Sequence, residues 1–290
     1  MGELFSGLEQ FGLEKLKNIQ VYESEAKTRK GSSQTQKSQE TKKVESDFLF
    51  DKTYTCPVCD NTFKAKTVKA GKVKLLSSDS DLRPRYQDVD AIKYDAVVCP
   101  KCGYAALSRF FNYMTNVQAR LVKEQITSTF KPFNNDLEMY TYDQAIMRYK
   151  LALVNTIVTR GKNSERAYTC LKLAWLYRGK RETLPPTTPN FEKIKIGLLK
   201  IEYDFIKNAY EGFSTAFMKE NFPLCGMDEH TVNYLTAELA RRLGKTDESL
   251  KLISRILVSR DANVRIKEKA RAIKDHIKAS ETTKNDTNKS

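Results

Sequence analysis

The chain has 290 residues and a formal charge of +14, so it can hold two domains or one domain with an extended array, and acidic partners are admitted without being named. No run approaches the roughly 18 apolar residues that a membrane span requires. Glu3, Glu9 and Glu14 occupy the stretch where a secretion signal carries its basic end and apolar core, so a secreted or membrane protein is set aside and the chain reads as cytoplasmic.

In chain order, Leu4, Leu8, Phe11 and Ile19 fall roughly on one helical face with Gly12 between them. Residues 1–22 therefore form either a short docking helix or a partly ordered tail. The stretch 23–46 is rich in Ser, Thr, Gln and Lys, and Val44 is its one branched apolar residue. It offers too little apolar surface to offset its ordering entropy, and a flexible linker is expected over 23–48. Short strands are expected from Thr53 to Cys102. In "NTFKAKTVK", Phe63, Ala65 and Thr67 alternate with Lys64 and Lys66. Gly71 breaks the run before "KVKLL", and "YDAVVC" supplies a third strand. From Tyr104 the period turns helical, with helices expected over 104–130, 137–159, 164–179, 190–220, 228–243, 246–258 and 262–279. Pro185, Pro186 and Pro189 bar helix from the long loop "GKRETLPPTTPN". Residues 280–290 are expected to form a disordered tail. Residues 241–278 hold twelve basic side chains against five acidic ones, so an electrostatic partner would meet the C-terminal helices first.

Four of the six cysteines lie in "TYTCPVCDNTF" and "VVCPKCGYAAL", where Cys56-x-x-Cys59 and Cys99-x-x-Cys102 are separated by 39 residues. A CxxC turn aims two thiolates at one ion, and two turns complete a tetrahedral site. Pro57 and Pro100 fix one backbone angle in each turn. Gly103 takes a left-handed conformation that frees amides to bond the sulfurs, and Asp60-Asn61 does the same after the first pair. A zinc ribbon over 49–103 with one structural zinc follows; iron in a rubredoxin-like cage uses the same ligands. Four thiolates leave no position open for water, and His230 and His276 belong to no HExxH or HxE pattern. The metal is therefore structural and not catalytic. Neither pair opens a helix in a βαβ pattern, as thioredoxin-like chemistry requires. Cys170 and Cys225 read as buried small hydrophobes. The long separation makes a loop bulge from the ribbon, taken to be "SSDSDLRPRYQDVDA".

The helical part carries repeat-like spacing. Ala145-x3-Tyr149-x2-Ala152-Leu153 has the second-helix pattern of a tetratricopeptide repeat, and Cys170-x2-Leu173-Ala174-x2-Tyr177 fits the first helix of the next. Ala209-x3-Phe213-x2-Ala216 repeats the second-helix spacing, and Ala237-x2-Ala240, Gly244, Ser249 and Ile253 give a weaker third unit. The expected fold is mainly α with a small β zinc ribbon, a tetratricopeptide-like helical domain over 104–279 following the ribbon. Such arrays bind peptides or proteins in a groove lined by first helices, which makes Lys172, Arg178, Arg241 and Arg242 candidate partner-binding residues for an acidic peptide or protein segment, with Leu173, Ala174 and Ala237 packing inward. Two further features carry rival readings. Asp79 and Asp81, with Asp88 and Asp90, could hold a divalent cation or a sugar nucleotide, or form a plain acidic turn. Lys64, Lys66, Lys69, Lys72 and Lys74, near Phe63 and Tyr86, could touch a nucleic-acid backbone.

Taken together, "YTCPVCDNTFKAKTVKAGKVKLLSSDSDLRPRYQDV", "YDAVVCPKCGYAA", "ERAYTCLKLAWLYR" and "YLTAELARRLGKTDESLKLISRIL" resemble the bacterial domain-of-unknown-function family DUF2225 over about residues 50–278. The resemblance implies Cys56, Cys59, Cys99 and Cys102 as metal ligands and makes Asp79, Asp81, Tyr86, Gly103 and Tyr104 motif positions without an assigned role. Arg83 stands where the resemblance leads one to expect a further cysteine, and Asp90-Ala91 where it leads one to expect Asn-Pro. The family carries no established activity. The reading is therefore a non-enzymatic metal-binding scaffold for protein–protein interaction. The alternative is a nucleic-acid-binding regulator using the basic C-terminal helices.

Overall fold

Three antiparallel hairpins precede the helices, and the cysteine turns link two of them. The computed structural model describes residues 4–16, 21 and 44–287, with side chains as far as Ala279. Strand β1 (Leu49–Thr55) pairs with β2 (Thr62–Val68), placing Tyr54 opposite Phe63 and Asp51 opposite Lys66. The alternation in β2 works as its sequence implies, with Phe63 and Ala65 buried and Lys64 exposed. A second hairpin joins β3 (Leu75–Ser78) to β4 (Pro84–Tyr86), and a third joins β5 (Ala96–Val98) to β6 (Ala105–Leu107).

Strand β6 corrects the expectation of a helix from residue 104. The second cysteine turn reverses the chain at Gly103 and lays Ala105–Leu107 along Ala96–Val98, so ladder pairing overrides the helical period there. Helix begins only at α1 (Asn116–Val122), where Thr115 and Gln118 form a capping box, and continues as a π turn over Lys123–Thr127. Thr141 and Gln144 cap α2 (Tyr142–Val158) in the same way. There follow α3 (Asn163–Glu182), α4 (Phe191–Lys219), α5 (Glu229–Arg242), α6 (Thr246–Val258) and α7 (Val264–Thr287). The backbone of α7 thus runs past Ala279, where the sequence reading ends the last helix.

The hairpins and helices share one core. Tyr54, Phe63 and Val97 belong to the same buried cluster as Tyr149, Leu153, Trp175, Phe205 and Phe213. The buried cluster therefore runs across residue 103, and the change to helix comes only at Asn116. Ala145, Ala174, Ala209, Ala216, Ala237 and Ala240 are all fully buried, as close helix approach requires. A smaller cluster of Tyr234, Ile253, Ile256, Ala270 and Ile273 holds α5, α6 and α7 together. No described helix is long and apolar enough to cross a membrane.

The short helix expected within residues 1–22 is replaced, among residues 4–16, by two 3-10 turns, Leu8–Phe11 and Glu14–Leu16. Gly7 and Gly12 bracket the first turn with φ of 88° and 77°, which ends any longer helix there. Most of the linker expected over 23–48 lies outside the described residues. Its described end forms a 3-10 turn at Glu45–Phe48, with Phe48 buried.

Candidate metal centre

The two cysteine turns face each other at the base of the first and third hairpins. In each, the first cysteine accepts a backbone bond four residues on: Asp60 N–H donates to Cys56 O at 2.9 Å, and Gly103 N–H to Cys99 O at 3.1 Å. The residue after each pair is left-handed, Asp60 at φ 56° and Gly103 at φ 77°, as the sequence reading requires. At residue 103 glycine meets a second demand, because a Cβ there would lie 2.5 Å from the Phe130 ring. The turn geometry aims amides at the sulfurs. Backbone groups of Val58 at Cys56, of Lys101 and Cys102 at Cys99, and of Tyr104 at Cys102 favour the thiolate form.

The four Sγ atoms lie within 4.8 Å of one another. Cys56 and Cys102 are 3.5 Å apart, and Cys59 and Cys99 are 3.7 Å apart. Both distances exceed a disulfide bond. They match the edge of a tetrahedron with metal–sulfur bonds of 2.3 Å, which is about 3.8 Å. Cys56, Cys99 and Cys102 are buried and Cys59 is half-buried. The donor set therefore fits a four-coordinate thiophilic ion, and among the described residues it is the cluster suited to a metal. Tyr104, one of the motif positions, buttresses the turn: its carbonyl accepts Cys99 N–H at 2.8 Å and its hydroxyl donates to Phe111 O at 2.9 Å. Cys170 is fully buried, and Cys225 is half-buried. Both stand apart from the cluster.

The middle segment leaves the ribbon as a hairpin of its own, with β3 exposed along its length. Its β3–β4 hairpin is folded against α3 and α5, and its acidic tip is paired with arginines. Asp81 is fully buried; Arg178 donates to it through Nη1 at 3.1 Å and Nη2 at 2.5 Å, and Arg242 lies 3.5 Å away. Asp79 accepts from Arg85 Nε at 2.8 Å and from Arg178 Nη1 at 2.9 Å. Burial alone would raise the Asp81 carboxyl, but Arg178 and Arg242 outweigh it and hold the group well below the usual carboxylate range. Both carboxylates are taken up by guanidinium groups. Tyr86 is half-buried beside Phe48, Val89 and Tyr140.

The candidate partner-binding residues are drawn into the same network. Lys172 and Arg178 are 8% and 5% exposed. Lys172 is ion-paired with Asp95, and Arg178 also bonds Glu202 through Nε at 2.7 Å. Arg241 and Arg242 both bond Glu238, at 2.7 and 2.8 Å. Intramolecular carboxylates thus take up the charges read as a partner surface, and Lys172 and Arg178 are too buried to form one. Leu173, Ala174 and Ala237 pack inward, as expected. On the ribbon, Lys66 pairs with Asp51 at 3.0 Å, and Phe63 packs against Tyr54 and Phe111, so it offers no open face for a base.

Sequence reasoning missed Arg83, Arg85, Glu182, Glu202 and Glu238 as members of this network. The one available signal was the alternation of acids and arginines in "DSDLRPRYQDVD", which does not reveal partners a hundred residues away. Arg83, 3% exposed, pairs with Asp90 at 3.1 Å and with Glu182 at 3.1 Å.

No curated protein and no solved structure matches the chain. The family model described as uncharacterised protein conserved in bacteria, DUF2225, matches residues 49–277, a span that takes in both cysteine turns, the arginine-bound hairpin tip and nearly all of the helices. On that match the chain belongs to the DUF2225 family of bacterial proteins.

Proposed function

We propose that the chain is a non-enzymatic scaffold in which one structural zinc ties the first and third hairpins together while the helices bind another protein. The observation that carries the zinc assignment is the four-sulfur cluster, whose spacing matches a tetrathiolate edge. Zinc suits a redox-inert buttress better than iron does, and six cysteines without a disulfide support the reading of the protein as cytoplasmic. The helices are read as tetratricopeptide-like pairs, a reading supported by the alanines buried where helices meet. An acidic peptide or protein segment remains the partner that the basic C-terminal helices favour.

Metal analysis of protein purified without added metal tests the centre. About one zinc per chain is expected from the tetrathiolate set. Cys99→Ala should lower that content, while Cys170→Ala and Cys225→Ala should retain it. Full occupancy after loss of Cys99 overturns the assignment. Capture of partners from a bacterial lysate tests the scaffold role. Steeply salt-sensitive binding to generic DNA or RNA in its place would transfer the function to nucleic acid.

A further inference from the structure

Residues 4–16 differ from the rest of the fold in local structure, although Phe5, Leu8 and Leu13 join the main buried cluster. They form no strand pair and no α-helix, they precede the family match that begins at Leu49, and residues 22–43 separate Val21 from Val44. Yet Phe5, Leu8 and Leu13 are at most 1% exposed. Gly7 rests on Met147, whose Sδ would lie 3.0 Å from an added Cβ. Gly12 lies so close to the body that a Cβ would come 2.0 Å from Thr129 O. The Phe11 ring stacks on Phe130 at 5.7 Å and tilts against Phe133 at 5.4 Å. Two bonds fix the backbone of the segment: Lys131 N–H donates to Phe11 O at 2.9 Å, and Lys150 Nζ donates to Ser6 O at 2.8 Å. These are the features of a bound peptide: apolar anchors in pockets, main-chain bonds across the interface, and a buried cation on a segment that carries Glu9 and Glu14.

We infer that residues 4–16 are a tethered peptide ligand seated in a groove formed by α2 and residues 126–133, and that this groove receives an acidic partner peptide with the same Phe-x-x-Leu-x-x-Phe-Gly-Leu anchors. The inference rests on the reading of the helices as a protein-binding surface, and it names the place. A ligand on the same chain acts at an effective concentration set by the length of chain that joins it to its groove. A partner must therefore outcompete the chain's own N-terminus, which holds the groove closed to weaker sequences.

The test uses the full chain with a protease site placed between residues 30 and 36. After cleavage, an excess of a fluorescent synthetic peptide of residues 4–16 is added and the mixture is run on gel filtration. The N-terminal fragment should leave, the labelled peptide should co-elute with the body, and helical circular dichroism should be unchanged. A peptide with Asp in place of Phe5, Leu8 and Leu13 should not exchange. A fragment that stays bound through the chase, or a body that loses helicity when the fragment leaves, overturns the inference, because the segment is then part of the folding core. In the uncut chain Gly12→Val should eject the segment and raise peptide affinity at least tenfold; an unchanged affinity also overturns it. Failed exchange with lysate partners still captured sinks this inference alone, whereas normal exchange with nothing captured leaves a groove for the chain's own segment and sinks both the partner peptide and the scaffold reading.

Discussion

Gly103 shows how one residue serves both backbone and packing. Its φ of 77° turns the chain behind Cys102, and its missing side chain admits the Phe130 ring. Gly103→Ala should therefore destabilise the protein by about 2–4 kcal/mol, combining a strained backbone with a forced shift of Phe130. Asp60→Gly, at the equivalent position of the other turn, should be neutral or mildly stabilising, since φ 56° is natural to glycine. Urea midpoints at constant metal occupancy check both. A second residue-scale prediction concerns acid. Asp79, Asp81, Glu182 and Glu238 are all held below their ordinary carboxyl range; in each case burial opposes the shift and neighbouring arginines overcome it. A lowered folded pKa gives stability that is fully present above the unfolded value, near 4, and is lost as pH falls through the folded one. Urea midpoints should thus be level from pH 7 to about 5 and fall steeply below 4. The Asp81→Asn/Arg178→Met double variant should show a shallower fall.

At the scale of elements, the β3–β4 hairpin is tied to α3 by a buried ion cluster that tolerates only paired change. Arg178→Met leaves the fully buried Asp81 with the more distant Arg242 at 3.5 Å and should cost about 3–5 kcal/mol, whereas adding Asp81→Asn should recover a large part of the loss. Equal losses in the single and double variants would contradict this account. Helices α2 to α7 lie close to their expected ranges, with the proline loop separating α3 from α4 and Gly244 turning α5 into α6. Strand β6 was not legible, since three residues are too few to show alternation and the apolar run "YAALSRFF" suits either period. The cysteine site could be read almost completely from spacing, because ligand chemistry is local to each turn. The ion cluster could not. Arg178 is 97 residues from Asp81 in sequence, and an arginine on a helix looks like a solvated charge until its partner is placed beside it.

At the scale of the whole molecule, the shared core implies shared fate. Tyr54 and Phe63 pack in the same cluster as Tyr149 and Phe213, so ribbon and helices should unfold in one transition when the metal is present. Scanning calorimetry checks this, with two resolved peaks as the contrary outcome. Removing the metal with a chelator should lower the Tm by at least about 5 °C, because metal binding free energy is also folding free energy. The loss should register in far-UV dichroism of the helices as well as in protease sensitivity of residues 49–107.

The reach of the hairpin tip also sets a clock on synthesis. Ser80 bonds Glu238 across 158 positions of the chain. At roughly 5–20 residues per second, a growing chain needs about 8–30 s to make the second partner after the first. For that interval Asp81 has no Arg242 and the tip has no α5 to close on, although the cysteine turns, complete at residue 102, can already form. Chains halted near residue 225 should therefore carry a protease-resistant metal site beside a hairpin tip that is still cut, and chains released at full length should protect both.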